Sequence, residues 1–210
     1  NGTYLGAKRV MNFGAGFYHH PNSTFTMTPG VGYDSLKLHN TTVLGADFYY
    51  DAPVGNKGYA FSTCLLYQYM NYGPNYLRNI GLLNTSNMMG TEDQLGDEFP
   101  NRSVMGPGNI QPMFGTGNAF FIQAGLKFPN LANGTSFMPY ITYTRKDYEA
   151  LPMAANQYDI GLNYFIIGHN VKVTAQYGTR PVYRYDAASS KGISQNGSMG
   201  QVTFQTHIFF

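Results

Sequence analysis

The chain has 210 residues, of which only 11% are charged and 16% are aromatic, with a formal net charge of +2. Soluble domains usually carry about 25% charged residues, and so small a net charge without a basic cluster gives no basis for a nucleic-acid partner. No window holds the roughly 18 uninterrupted apolar residues of a transmembrane helix. Few charges, abundant Tyr, Phe and Gly, and a mean hydropathy of −0.27 fit a membrane β-barrel, while a soluble β-sandwich stays open as an alternative.

The first half of the chain contains three segments in which apolar residues alternate with polar or small ones, the period of a strand. A truncated strand is expected before them, over 1–6, followed by a turn at 6–8. The alternating segments predict strands over 9–19, 42–51 and 59–72. Pro, Gly and Asn residues predict a loop over 21–40 and a short turn over 53–58.

A long segment without periodicity, 73–117, separates the two halves and predicts a loop. A structureless loop of this length argues against a compact soluble domain, whereas barrels carry long external loops that can fold inward. Strands are predicted again over 118–128, 136–148, 158–166, 171–177 and 200–210. The connections between them are expected at 129–135, 149–156, 168–170 and 183–198. The final strand alternates up to the terminal Phe210, which is also how outer-membrane barrels end.

The predicted connections alternate between long and short along the chain. Because consecutive antiparallel strands place alternate connections at opposite ends, all long connections are expected at one end of the sheet. Outer-membrane barrels have short periplasmic turns and longer outside loops. The pattern therefore predicts one domain over 1–210, an all-β, antiparallel up-and-down transmembrane barrel. About nine strands are predicted, whereas bacterial barrels normally have an even number. We therefore expect further strands upstream of Asn1; the alternative is that 1–6 is not a strand and that eight strands close a small barrel.

The predicted strands have one bulky apolar face and a second face that is more polar, although the second face of 59–72 is mixed. If the bulky face meets lipid, the second face is expected to line a hydrated lumen. The residues that we expect to line the pore are Lys127, Lys146, Lys172, Asp47, Asp159, Gln123 and Gln205. The lysines have two possible roles. Their field could favour anions, or they could pair with Asp47, Asp51 or Asp159 and stiffen the wall.

Other chemistry finds little support in the sequence. His19 and His20 are adjacent, so on a strand they point to opposite faces and cannot share a metal ion; we expect them at a strand end. The acidic residues of 92–98 lack the spacing of a calcium loop, and the only cysteine, Cys64, excludes an intrachain disulfide. No hydrolase or phosphate-binding motif is present. The expectation is a protein that is not an enzyme and has neither metal nor cofactor.

Three segments of the C-terminal portion, 157–165, 168–177 and 200–210, resemble the phosphate-selective porin (O/P-type) family. Residues 2–17 look like a mid-barrel hairpin of the same relatives. The resemblance implies a barrel of about sixteen strands, usually trimeric, that passes anions through a constriction of basic residues. This chain would form roughly the C-terminal half. It lacks an evident Arg/Lys ladder, and acidic residues lie in its central loop.

The sequence therefore predicts a porin of the bacterial outer membrane that lets small hydrophilic solutes, with anions as a candidate class, diffuse passively. The expected partners are outer-membrane lipid, further copies in a homotrimer or other outer-membrane subunits, and the barrel-assembly machinery through the C-terminal strand. The alternative is a non-conducting barrel that serves as a structural or accessory subunit of a larger outer-membrane complex.

Overall fold

The computed structural model describes residues 3–26, 36–79, 111–186 and 188–209. The described residues form ten strands and no helix: β1 (Val10–Thr26), β2 (Lys37–Val54), β3 (Tyr59–Asn71), β4 (Leu77–Asn79), β5 (Pro112–Gly115), β6 (Gly117–Lys127), β7 (Ser136–Tyr148), β8 (Ala155–Ile167), β9 (Val171–Tyr185) and β10 (Ile193–Ile208). No helix in this part of the chain has the length and apolarity needed to cross a membrane.

Eight strands form one antiparallel sheet in the order β1-β2-β3-β6-β7-β8-β9-β10, and β4 pairs with β5 in a separate hairpin. Each strand of the large sheet pairs with the next one along the chain, apart from the step from β3 to β6. The all-β, up-and-down prediction is confirmed. Closure is not seen, because β1 and β10 are the two edges of an open sheet. The predicted first strand over 1–6 was wrong, since residues 3–9 form a turn and irregular chain.

The predicted alternation is reproduced in the pairing register across the whole sheet. One row of paired positions crosses all eight strands through Met11, Tyr50, Thr63, Ala124, Ile141, Ile160, Tyr177 and Val202. The next row on the same side holds Phe13, Phe48, Leu65 and Ile122. We call this side the apolar face. The opposite side, which carries Asp47, Gln123 and Asp159, is the polar face.

The two ends of the sheet differ less in connection length than the sequence predicts. Connections 27–36, 72–116, 149–154 and 186–192 lie at one end, which we call the loop end; connections 55–58, 128–135 and 168–170 lie at the other, the turn end. β1, β2, β9 and β10 extend well into the segments predicted as the loops 21–40 and 183–198. Connections 27–36 and 186–192 are therefore shorter than predicted. Connection 149–154 has six residues and connection 128–135 has eight, and among the connections between described strands of the large sheet only 72–116, which contains β4 and β5, exceeds ten residues.

The hairpin of β4 and β5 occupies the first and last parts of the long connection and folds back against the sheet. Leu77 of β4 joins a buried cluster with Met70, Tyr148 and Tyr183, which belong to β3, β7 and β9. Thr116, next to β5, secures the return of the chain: its hydroxyl donates to the Gly73 carbonyl at 2.5 Å and accepts from the Tyr72 amide at 3.0 Å. The main buried apolar cluster therefore lies at the loop end.

Candidate functional site

The seven residues predicted to line the pore all lie on the polar face. Gln123, Thr142 and Asp159 form one cross-strand row over β6, β7 and β8. The remaining predicted residues occupy the same face at other levels, each paired with a residue of an adjacent strand: Asp47 with Gly14 and Leu66, Lys127 with Ala60, Lys146 with Ala119, Lys172 with His207 and Gln205 with Thr174. The structure thus gathers them on one surface but spreads them over its full height.

Asp159 is held in the middle of the polar face by neutral donors. The Thr142 hydroxyl donates to its Oδ2 at 2.5 Å, and the Gln157 amide nitrogen donates to both carboxylate oxygens at 3.2 and 3.3 Å. The carboxylate lies over Gly178 of β9, so close that a Cβ there would collide with it. A carboxylate fixed in this way contributes a negative charge to the wall without the mobility of an exposed side chain.

Tyr140 crosses the polar face next to this row. Its ring lies over Gly161 of β8, and its hydroxyl donates to Oε1 of Gln176 on β9 at 2.6 Å. Tyr140 is therefore anchored two strands away from its own backbone. Glycine is required at position 161 because a Cβ there would collide with the tyrosine ring.

Two of the three lysines have partners that the sequence did not predict. Nζ of Lys127, at the turn end, donates to the carbonyl of Phe128 at 3.1 Å and to Oδ1 of Asn130 at 2.9 Å. Nζ of Lys146, at the loop end, donates to the carbonyl of Pro112 at 2.6 Å. The alternative in which these lysines pair with Asp47, Asp51 or Asp159 was wrong for both. The salt bridge seen among the described residues joins Arg145 and Asp147, on the exposed apolar side.

A small cavity lies beside Lys146 where β5 meets the polar face. Thr144, Gln157 and Arg180 also line it, together with Gln111 and Pro112 at the start of β5. Sequence reasoning missed Arg180 because the predicted strand ended at 177, whereas β9 continues to Tyr185. Residues 178–182 do not alternate between apolar and polar side chains, so the local pattern gave no signal for Arg180.

The polar face is covered at both ends. At the loop end the hairpin of β4 and β5 is bound by Lys146 and by Tyr148, whose hydroxyl donates to the Met113 carbonyl at 3.1 Å. At the turn end residues 3–8 lie against the sheet, and the Thr3 hydroxyl donates to Oδ2 of Asp51 at 2.8 Å. Asp51 is fully buried.

Tyr72 directly follows β3 at the loop end. Burial and, to a smaller extent, the nearby phenols of Tyr76 and Tyr18 raise the pKa of Tyr72.

The remaining sequence predictions have mixed outcomes. His19 and His20 lie on opposite faces, as predicted, but in the body of β1, which continues to Thr26. Cys64 is a partly buried residue of the polar face, opposite Gln123. No group of three metal-ligating side chains occurs in the part of the chain that the structure describes. The acidic segment 92–98 and Phe210 lie outside it.

These features define the chain as an all-β protein with one open, single-layered, up-and-down sheet that has an apolar and a polar face. The chain matches no protein-family model, no curated protein and no solved structure.

Proposed function

We propose that the chain forms the wall of a transmembrane β-barrel in the bacterial outer membrane, and that this barrel is a porin for small hydrophilic solutes. The observation that carries the proposal is the inverted burial of the sheet. Side chains on the apolar face are exposed, including Phe13 at 71%, Ile160 at 61% and Phe204 at 77%, whereas Asp51 and Lys127 on the polar face are 0% and 5% exposed.

Water is a poor solvent for such a surface. Burying one large apolar side chain contributes about 1.5–3 kcal/mol, so an apolar face that crosses eight strands leaves tens of kcal/mol unrealised in water. Soluble monomers rarely expose contiguous apolar patches above a few hundred Å². Lipid acyl chains would cover this face, and the curvature of a barrel wall accounts for the greater burial of the polar face.

The length and the borders of the apolar face also fit a bilayer. A strand needs about 9–11 residues to cross the hydrocarbon core when tilted, which matches the stretch of β8 from Tyr158 to Ile166. Aromatic pairs lie near both borders. Tyr143 stacks with Tyr158 at 5.0 Å towards the loop end, and Phe137 stacks with Tyr164 at 4.6 Å towards the turn end. Membrane barrels carry such aromatic girdles at both interfaces.

The open edges support a barrel larger than the described sheet. Unpaired backbone groups of an edge strand cost several kcal/mol each in hydrocarbon, so β1 and β10 require partner strands. The resemblance to O/P-type porins implies about sixteen strands in total. We therefore propose that additional strands complete the ring. We also propose that the complete barrels associate as trimers or with other outer-membrane subunits, and that the barrel-assembly machinery recognises the C-terminal strand.

Two features of the polar face support conduction with a preference for anions. The hairpin of β4 and β5 narrows the lumen at the loop end without crossing the whole sheet. At that level Lys146 and Arg180 line the cavity next to β5, where a passing solute would meet them. Because Lys146 hydrogen-bonds a neutral carbonyl, its charge is not cancelled by a carboxylate among the described residues.

A second candidate is a non-conducting structural barrel. It is favoured by the covering of the polar face at both ends, by the hairpin on one side and by residues 3–8 on the other. In this case the polar side chains would stiffen a wall that surrounds no continuous water path.

Reconstitution of the complete protein into planar bilayers separates the two. The porin proposal expects stepwise conductance, and a reversal potential in a KCl gradient that shifts towards cation preference in Lys146→Gln. The matched control is Lys57→Gln, in the β2–β3 turn, which should leave the reversal potential unchanged. Protein that keeps heat-modifiable migration but never conducts would refute the porin and support the structural barrel.

A further inference from the structure

A second recess lies at the loop end of β1, β2 and β3, away from the polar face cavity. It has a volume of about 480 Å³, and its lining includes His19, His39, Asn40, Thr42, Asn71 and Glu149. Small-molecule sites usually have about 300–1,000 Å³. The recess therefore has room for a ligand of one or two rings.

The register places this recess at the border of the apolar face. His19, Thr42 and Asn71 form the cross-strand row that follows the row of Phe17, Leu44 and Tyr69. The ring of Phe17 is exposed and lies parallel to the ring of His19, with 6.3 Å between their centroids. A flat apolar surface thus leads directly into a polar recess.

The lining chemistry disfavours anions and metal ions. It contains one carboxylate, from Glu149, and neither Lys nor Arg, so it offers no charge complement to an anion. A metal ion is not matched either, because no three ligating groups come together among the described residues. Imidazole, amide and hydroxyl groups both donate and accept hydrogen bonds, as do the hydroxyls of a sugar.

Several lining side chains use one polar atom in a hydrogen bond within the protein and have a second polar atom available to a ligand. His19 Nδ1 contacts the Thr42 hydroxyl at 3.0 Å, Oδ1 of Asn40 accepts from the Asn22 amide at 3.0 Å, and Oδ1 of Asn71 accepts from the Gly73 amide at 2.9 Å. Within the described residues, Nε2 of His19 and the side-chain amide nitrogens (Nδ2) of Asn40 and Asn71 have no hydrogen-bond partner. The two Nδ2 groups can donate to a ligand, and Nε2 of His19 can donate or accept according to its tautomer.

We propose that this recess binds a saccharide ring, and that its position makes the sugar headgroup of a glycolipid the favoured source. The inference rests on the proposed membrane placement, which puts the border of the apolar face at headgroup level. The hydroxyls would bond His19, Asn40 and Asn71, while the first part of an acyl chain would pack along Phe17.

The test uses the complete protein in phosphatidylcholine nanodiscs, titrated with a diglucosyl diacylglycerol in one arm and with the free diglucose headgroup in the other. Native mass spectrometry measures the bound ligand. His19→Phe keeps the ring but removes both nitrogens, and Thr42→Val removes the hydroxyl that orients it. Loss of one or two hydrogen bonds should weaken binding roughly 5- to 10-fold. His20→Phe makes the same chemical change on the opposite face and should bind like the unmodified protein.

Saturable binding of the glycolipid alone, weakened in His19→Phe and Thr42→Val, supports the headgroup source. Binding of the free disaccharide with the same response supports the saccharide site but assigns it to a solute. Binding of neither probe, or equal binding by His19→Phe and His20→Phe, overturns the proposal. Conductance is measured separately, so a non-conducting protein that binds the glycolipid would refute the porin and leave this site intact.

Discussion

Replacement of Gly161 by alanine tests the packing of Tyr140 across the polar face. A Cβ at position 161 would collide with Cζ of Tyr140 and would lie 2.5 Å from its hydroxyl oxygen. The ring must therefore move, and the 2.6 Å hydrogen bond from its hydroxyl to Gln176 is lost. Overpacking costs about 1–3 kcal/mol and a lost hydrogen bond about 1 kcal/mol. We expect Gly161→Ala to lower the free energy of unfolding by about 2–4 kcal/mol.

The assay is urea unfolding of the protein refolded in lipid vesicles, followed by the loss of heat-modifiable migration. Gly16→Ala is the matched control, because a Cβ at this glycine of β1 would meet nothing within 4 Å. Alanine also costs less backbone entropy than glycine, so the control should be neutral or slightly more stable. In a Tyr140→Ala background the cost of Gly161→Ala should nearly vanish. Equal effects of Gly161→Ala and Gly16→Ala, or a cost that persists without the tyrosine ring, would refute the reasoning.

Three further predictions concern the two faces and their covers. Ile160→Lys places a charge on the apolar face and should lower the free energy of unfolding in lipid by about 2–4 kcal/mol in the same assay. Gln123→Lys on the polar face should be tolerated, and equal costs of the two substitutions would contradict the assignment of the faces. Tyr148→Phe removes the hydroxyl that binds the Met113 carbonyl and should increase amide hydrogen exchange in β5 about fivefold, while Tyr143→Phe, which loses a bond to Asn156 on the other face, should leave β5 unchanged. Thr3→Val removes the donor to the buried carboxylate of Asp51 and should cost about 1–3 kcal/mol of unfolding free energy, with Thr3→Ser as the control that retains it; an unaffected Thr3→Val protein would show that residues 3–8 do not hold the turn end.

The two faces could be predicted from the sequence because successive side chains of a strand point to opposite faces, so a sheet with one apolar face has a sequence period of two. β7 was predicted to the residue, at Ser136–Tyr148, and the turn at 168–170 was also correct. The strands were underestimated where they leave the apolar face. Along 20–26 and 193–199 polar and small residues predominate and the apolar residues no longer alternate, but the backbone pairing continues.

The candidate site was predictable at the level of faces but not of contacts. Alternation assigned Lys146 to the polar face, yet its acceptor is a backbone carbonyl supplied by β5, 34 residues away. Nothing in the local pattern of β4 and β5 shows that these short strands fold back onto the sheet. The partner of Lys127 was equally hidden, because turn geometry brings Asn130 to its ammonium group.

The step from β3 to β6 has a consequence for the order of folding. Every other pair in the sheet joins strands linked by a short connection, so β1–β3 and β6–β10 can each form by pairing of sequential strands into a local meander. Joining them requires closing the connection 72–116, which by chain entropy costs roughly 2 kcal/mol more than the tight turn between β2 and β3. The seam between β3 and β6 should therefore form last, after the hairpin of β4 and β5 has shortened the loop.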